Sequence, residues 1–334
     1  MRIQDTSHVA EARRNARRLA VGLGFDEETA ERAALVVTEA CTNLLKHATE
    51  GQIIIRQVSE TVIPADGPGR SARVWLEVLV LDRGPGIANL AECIQDGHST
   101  TGTCGSGLGA IGRLSSFSEI YSRPGRGTAV LARISARAGA VLCAGNTGAV
   151  QAPKPGEDVC GDQWGMTICR GRRKFLMADG LGHGTDAARA SLAAVDTLYN
   201  HPDLSVTETL AAVHDALRPT RGAAVSIAEI DAERGVVVFG GLGNVAGAIV
   251  GVNGPLRRMV STNGTAGLEA RHIREFSYPW SDGATLVMHS DGIGTHWDLS
   301  DYPGVGAFDP TIVAGVVYRD CARGNDDASI VVAR

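Results

Sequence analysis

No run of 18 apolar residues occurs anywhere in this 334-residue sequence, which excludes a membrane-spanning helix. The leading stretch, MRIQDTSHVAEARRNARR, has no apolar core behind its charges and does not read as a secretory signal. CxxC pairs are also missing. The seven cysteines lie scattered at 41, 93, 104, 143, 160, 169 and 321, a pattern expected of reduced thiols in a cytoplasmic protein. Neither half carries a basic excess: residues 1–134 hold 15 Lys+Arg against 15 Asp+Glu, and residues 135–334 hold 17 against 22. A nucleic-acid footprint is therefore absent, and the net charge of −5 belongs to the second half. There is no internal repeat. The 42 glycines follow no fixed period, so they serve turns, tight packing and loops that approach a ligand. What remains is ordinary globular usage, 44% hydrophobic and 21% charged, in a chain long enough for two domains.

The strongest helical signal begins at Asp26, an N-cap followed by Glu27 and Glu28. Ala30, Ala33, Ala34, Val37, Cys41, Leu44, Leu45 and Ala48 recur at spacings of three and four, and Gly51 ends the pattern. Strand-like runs follow at 52–58 and 74–82, separated by the turn-rich PADGPGRSA. A glycine-punctuated loop at 83–109, a short helix near 110–117 and a strand pair within 119–134, turned at RPGRG, complete a unit with an apparently mixed sheet. The Ala/Gly/Pro-rich stretch 135–156 reads as a linker that also holds the next unit's first strand. Strands dominate thereafter, at 164–169, 174–178, 223–230, 236–239, 246–250, 285–289 and 329–333, with helices near 185–199 and 206–217.

Glu39, Asn43 and Lys46 share one face of the first helix, opposite the apolar stripe. Alone, that is a solvated polar face. Three further elements change its meaning. Asp82 ends a strand and runs into Gly84-Pro85-Gly86-Ile87; Gly105-Ser106-Gly107-Leu108-Gly109 opens a helix whose free N–H groups suit phosphate; and Gly125-Arg126-Gly127-Thr128 turns into the last strand. In this order, ExxxNxxKHA, DRGPGI, GSGLG and GRGT resemble the GHKL ATPase superfamily over about residues 10–134. DRGPGIANLAECIQDGHSTTGTCGSGLGAIGRL is similar to the serine/threonine kinases of bacterial stress-signalling and anti-sigma type. The resemblance implies a Bergerat-type α/β sandwich that binds ATP and Mg²⁺. Asp82 would bind the adenine amino group and Asn43 the Mg²⁺, while Glu39 would orient the substrate hydroxyl. Gly105, Gly107 and Gly109 would line the phosphates, with Lys46, Gly84, Gly86 and Thr128 completing the site. Phosphoryl transfer needs positioning and charge neutralisation above all, which such a set supplies. The loop 98–106 would be the lid, with Cys104 an unusual thiol in it.

In the second half, Asp162 and Asp179 flank a candidate hairpin whose midpoint falls between residues 170 and 171. A turn there pairs the two aspartates across the ladder, with Cβ atoms about 5 Å apart. Two anions about 4 Å apart repel by about 4 kcal/mol at an effective dielectric near 20, so the pair needs a cation or a shared proton. Asp291 and the doublet Asp326-Asp327 add carboxylates at two more strand ends. Oxygen ligands without clustered His or Cys favour Mg²⁺ or Mn²⁺. Arg172, Arg173 and Lys174 read as a solvated hairpin tip, and His183 more as a loop histidine than a proton donor. CGDQW, ADGLGHG, HSDGIG and GNDDAS resemble, in order and spacing, the SpoIIE branch of the metal-dependent PPM phosphatases over about residues 137–334. The resemblance implies an αββα sandwich with two metal ions. Asp179 and the Gly180 carbonyl would bridge both, and Asp162, Asp291 and Asp326 would complete the shells. Water acidified there would attack phosphoserine or phosphothreonine in line.

The expectation is thus an α/β chain, residues 1–136 kinase-like and 137–334 phosphatase. It would act on STAS-domain proteins in a partner-switching pathway, within a sigma-regulatory or stressosome-like complex and as a homodimer. A rival reading makes the first half a module that only binds ATP and a protein partner. A metabolic ATPase is disfavoured because the large transducer domain of such enzymes is missing.

Overall fold

In the computed structural model, residues 1–62, 71–90, 93, 107–136, 145–252 and 256–334 are described. Two compact units emerge, and the chain crosses between them more than once. The first comprises Met1–Gly145 with Ala307–Arg319; the second comprises Asn146–Gly306 with Asp320–Arg334. The division expected at 136/137 therefore leaves out one transfer, residues 307–319, which join the first unit.

In the first unit, α1 (Thr6–Gly22) and α2 (Glu27–His47) lie on a sheet ordered β1 (Gln52–Val62), β2 (Ser71–Leu81), β4 (Thr128–Ser135), β3 (Phe117–Ser122). Asp26 caps α2 by accepting from the Thr29 N–H at 2.8 Å, as its position predicts. α3 (Gly107–Leu114) packs beside α2. Every pairing in the sheet is antiparallel, so the expected mixed sheet is not observed. Along β2, Leu76, Val78 and Val80 face the helix layer with Ala33, Val37 and Cys41, forming one core. The intervening Trp75, Glu77, Leu79 and Leu81 are buried as well. A strand apolar on both sides requires cover on both, and the second cover includes α6 (Pro310–Cys321). A Cβ on Gly315 would stand 3.0 Å from Leu81 and 3.2 Å from Leu79. At the start of α6, the Arg133 guanidinium bridges two buried carboxylates, Glu77 (2.8 Å) and Asp309 (2.8 and 3.0 Å). Burial opposes ionisation of Glu77, yet Arg56 and Arg133 hold its carboxyl below the ordinary value.

The second unit stacks two antiparallel five-stranded sheets. One is ordered β11 (Leu256–Met259), β10 (Ala246–Val250), β13 (Thr285–His289), β14 (Ala328–Ala333), β5 (Thr147–Ala152). The other is ordered β12 (Glu275–Pro279), β9 (Val236–Leu242), β8 (Ala223–Asp231), β7 (Arg172–Gly180), β6 (Asp162–Cys169). Phe175, Met177, Phe239, Leu286, Met288 and Val331 fill the space between them. On the outer face of the β7–β8 sheet, Leu176, Val225 and Ile227 meet α4 (Thr185–Asn200) and α5 (Val206–Leu217) through Ala194, Leu198, Leu210 and Val213. Lys174 is not part of a solvated tip. Its side chain is 2% exposed, and Nζ reaches Glu229 at 3.2 Å and the carbonyls of Pro202 and Leu204 in the α4–α5 connection. Arg172 also pairs with Glu229, at 2.6 Å.

Candidate functional site

The first site is assembled where the loops between strands meet the ends of α2 and α3. On α2, Glu39 and Asn43 are half-buried and Lys46 is exposed, so the face carrying them is solvated only at its far end. Val36 and Ala40, outside the expected stripe, are buried, leaving Glu39 and Asn43 beside a second packed face of the helix. Asn43 stands against the first residue of α3: a Cβ on Gly107 would lie 2.9 Å from Asn43 Oδ1. The Asn43 Nδ2 is buried and finds no hydrogen-bond partner among the described residues. A polar amide with an unused group, held at a helix N-terminus, is suited to a metal–phosphate ligand. Gly109 is buried in the same turn of α3. Gly105 and the loop 98–106 lie outside the described residues.

Asp82 follows β2. Its N–H donates to the Thr128 carbonyl at 3.0 Å, its Oδ1 accepts from the Gly84 N–H at 2.7 Å, and its own carbonyl accepts from Arg319 at 3.1 Å. Burial raises the carboxyl above its ordinary value. Two glycines are obligatory here. Gly127 (φ +75°) would place a Cβ 2.0 Å from the Asp82 carbonyl oxygen, and Gly86 (φ +69°) would place one 1.9 Å from that of Arg123. The loop 82–87 is thereby fastened to the turn 122–128. The Gly125 N–H donates to the Pro85 carbonyl at 2.7 Å, the Ile87 N–H donates to Ser122 Oγ at 2.9 Å, and Ser122 Oγ lies 2.9 Å from Thr128 Oγ1. Thr128 is consequently buried and engaged.

The second site lies at one end of the β6–β7 hairpin. Arg170 and Gly171 both take positive φ in the turn, and the register pairs Cys169 with Arg172 and, at the far end, Asp162 with Asp179. Asp162 is fully buried. Its Oδ2 accepts from the Ser290 hydroxyl at 2.6 Å, and Oδ1 meets no hydrogen-bond geometry among the described residues. Ser290 is itself fixed by the Ser329 N–H at 3.0 Å. The Asp291 loop presses on the start of β14, since a Cβ on Gly292 would sit 1.9 Å from the Asp327 carbonyl oxygen. Asn244 donates to Asp291 Oδ2 at 2.7 Å. Asp326 is half-exposed and accepts from its neighbour's N–H at 2.9 Å. Asp327 is buried, accepts from the Lys154 N–H at 2.8 Å through Oδ1, and leaves Oδ2 without a hydrogen-bond partner among the described residues, 2.8 Å from where Gly161 would carry a Cβ. Gly180 cannot bear a side chain, because its Cβ would fall 2.1 Å from the Ala187 carbonyl oxygen.

Burial and neighbouring carboxylates push Asp162 up to about 6 and Asp179 to about 8, and burial together with Asp326 raises Asp291. Among the described residues, no three acidic or imidazole groups close into a finished cage. Even so, the donor set fits hard divalent cations: all oxygen, clustered at strand ends, with a buried carboxylate oxygen that finds no partner among the described residues. The motifs located all four candidate aspartates. Ser290, which holds Asp162, stands in the HSDGIG motif, whereas Asn244, which holds Asp291, carries no sequence signal of its own. His183, 2.6 Å from Glu157 across an exposed pair, also stands in the ADGLGHG loop.

With this geometry in place, likeness to known proteins becomes interpretable. The family described as "Histidine kinase-like ATPase domain" matches residues 4–134, and "Stage II sporulation protein E (SpoIIE)" matches residues 170–296. The serine/threonine-protein kinase RsbT of Bacillus subtilis (strain 168) is 30% identical over 132 residues, 40% of this chain and 92% of RsbT. In its first half the chain belongs to the histidine kinase-like ATPase family. Phosphoserine phosphatase RsbX of the same organism is 25% identical over 143 residues, 43% of this chain and 72% of RsbX. A solved structure from the bacterial stressosome, described as a modular system adapted to control secondary messenger signaling, superposes with TM-score 0.53. It shares 25% identity and covers 57% of this chain and 98% of that one. RsbX in complex with magnesium superposes at TM-score 0.50 with 23% identity, over 56% of this chain and 92% of that one, which establishes the shared fold. A histidine kinase-like ATPase domain is thus joined in one chain to a PPM serine/threonine phosphatase domain, and PPM phosphatases depend on Mg²⁺ or Mn²⁺. No helix among the described residues is long and apolar enough to cross a membrane.

Proposed function

We propose that this chain is a cytoplasmic switch enzyme whose two halves work in opposite directions on Ser/Thr residues of STAS-domain regulatory proteins. The supporting observation is the Asp162–Asp179 register pair, with a buried oxygen that finds no partner among the described residues and with Asp291 and Asp326 at adjoining strand ends. Asp162, Asp179, Asp291, Asp326 and the Gly180 carbonyl would hold the divalent cations. The chemistry such cations would supply there is Lewis acidity towards a phosphoester. Ser290 fixes the Asp162 carboxylate, and Asn244 fixes that of Asp291, as partners of metal ligands commonly do.

In the first half, Asp82 would accept the adenine amino group on a carboxyl already held by the Gly84 N–H. Asn43 would hold the Mg²⁺ of ATP, Gly107 and Gly109 would face the phosphates, and Glu39, one helical turn from Asn43, would orient the attacking hydroxyl. The functional division is residues 1–136 for the kinase-like domain and 137–334 for the phosphatase, with 307–319 lent to the first unit. The names of the relatives and the stressosome match support a partner-switching setting.

The test is incubation with genome-neighbouring STAS-domain proteins, first with ATP·Mg²⁺, then with Mn²⁺ alone after nucleotide removal. Phosphate should enter one such protein in the first step and leave a phosphorylated one in the second, and Glu39→Gln should stop only the first. Dephosphorylation without any transfer would reduce the first half to an ATP-holding partner-binding module. No dephosphorylation would overturn the proposal for the second half.

A further inference from the structure

α6 is buried over most of its length: Pro310 through Val317 are all buried, as is Arg319. Its two ends are tied in different ways. At its start, Asp309 caps the helix through the Thr311 N–H at 2.8 Å, accepts twice from Arg133 and accepts from the Gly145 N–H at 2.8 Å. At its end, Arg319 is clamped on both its main chain and its side chain. Its guanidinium donates to the Asp82 carbonyl at 3.1 Å, while the Arg83 guanidinium donates to the Arg319 carbonyl. The residues that hold Arg319 are thus Asp82, assigned to adenine, and its immediate neighbour.

Beyond Arg319 the chain passes directly into the second unit. Within three residues its main chain is bonded to the Asp291 loop: the Gly294 N–H donates to the Cys321 carbonyl at 2.8 Å, and the Arg323 N–H donates to the Gly292 carbonyl at 2.9 Å. Three residues further stands Asp326. Fewer than ten residues of continuous, hydrogen-bonded chain therefore separate the backbone of Asp82 from two of the four aspartates of the phosphatase site.

We propose that α6 is a coupling rod: occupation of the adenine site at Asp82 changes phosphatase turnover by moving Arg319 and, through it, the segment 320–327. This rests on the reading of the first half as a nucleotide site. Packed helices shift between discrete positions rather than bend continuously, and a nucleotide shifts that balance only so far as it binds one position better.

The experiment uses the full chain in saturating Mn²⁺. Binding of fluorescently labelled ADP and hydrolysis of p-nitrophenyl phosphate are measured in the same buffer. Bound ADP should change the phosphatase kcat/KM by about 5-fold or more, in the range of ordinary allosteric couplings. Arg319→Ala should bring that change below about 2-fold while leaving ADP binding and the nucleotide-free rate near wild type. If Arg319→Ala does not fold, Arg83→Gln, which cuts the other half of the clamp from a largely exposed side chain, should give the same loss of coupling. ADP that binds without altering hydrolysis overturns the coupling and leaves the nucleotide site standing. Failure to bind ADP overturns both. Coupling that persists in a folded clamp variant overturns the route through Arg319.

Discussion

Asp309→Ala should destabilise the first unit by about 3 kcal/mol or more. The carboxylate is fully buried and accepts four hydrogen bonds, two from Arg133 and one each from the Thr311 and Gly145 N–H groups. Truncation removes the helix cap, worth about 1 kcal/mol. It also leaves the Arg133 guanidinium, 3% exposed, short of one counterion. Breaking a buried pair from one side costs about 3–5 kcal/mol. Arg133 keeps Glu77 at 2.8 Å and the rings of Trp75 and Phe117 within 5.6 Å and 5.2 Å, so the low end of that range applies and the two costs do not simply add. Asp309→Asn retains one acceptor oxygen and should lose less, about 1–3 kcal/mol. Amide hydrogen exchange of β2 and β4 reads this locally, without requiring both units to unfold together. Protection within about 1 kcal/mol of wild type in Asp309→Ala would refute the argument, because the network would then be decorative.

Three further outcomes are expected. Asn43→Ala should abolish Mg²⁺-dependent ATP turnover while circular dichroism and thermal midpoint stay near wild type, since Asn43 lies outside the apolar core of α2; retained turnover would sink its assignment. Asp326→Asn should remove nearly all phosphatase activity even in excess Mn²⁺, whereas Asp327→Asn, which keeps an acceptor for the Lys154 N–H, should be partly rescued by added metal. The reverse ranking in an Mn²⁺ titration would overturn the ligand assignment. With Asp162 raised to about 6 and Asp179 to about 8, the metal-free fold binds more protons than the unfolded chain, so its stability should fall as pH rises from about 4 to 8. Mn²⁺, which replaces those protons, should raise the thermal midpoint more at pH 8 than at pH 6, and a pH-independent shift would refute the pairing.

Legibility in the sequence followed locality. The Asp162–Asp179 pairing could be read because a hairpin is its own ruler: the turn at Arg170–Gly171 and a period of two fix the register eight residues away. The α2 cap and stripe were legible for the same reason. Lys174 was misread because its partners, Glu229 and the carbonyls of Pro202 and Leu204, are supplied by β8 and a helix connection far along the chain. Nothing in the tripeptide RRK separates the residue that is buried from the two beside it. The sheet was read as mixed because strand direction is not written in β-propensity. α1 escaped notice because its buried stripe is alanine alone, Ala12, Ala16 and Ala20, a weak hydrophobic signal.

The least legible element, α6, also carries the most architecture. TIVAGVVYRDC has no amphipathic period, since a helix buried on every side needs none, and so it offers periodicity nothing to detect. The need for it was nevertheless written elsewhere. VWLEVLVL and TAVLARIS lack the alternation of a sheet with one wet face, and in an antiparallel sheet that already carries helices on one side, such strands require a second cover. The family matches end at residues 134 and 296, so each half compares well with its relatives while the segment 307–319 belongs to neither match. Glu77 and Arg133 lie within the first match and Asp309 beyond both. A buried charge on the sheet implies a buried countercharge, and that countercharge is the residue that begins α6. The charges that look out of place in the first half are therefore accounted for by a part of the chain more than 170 residues away.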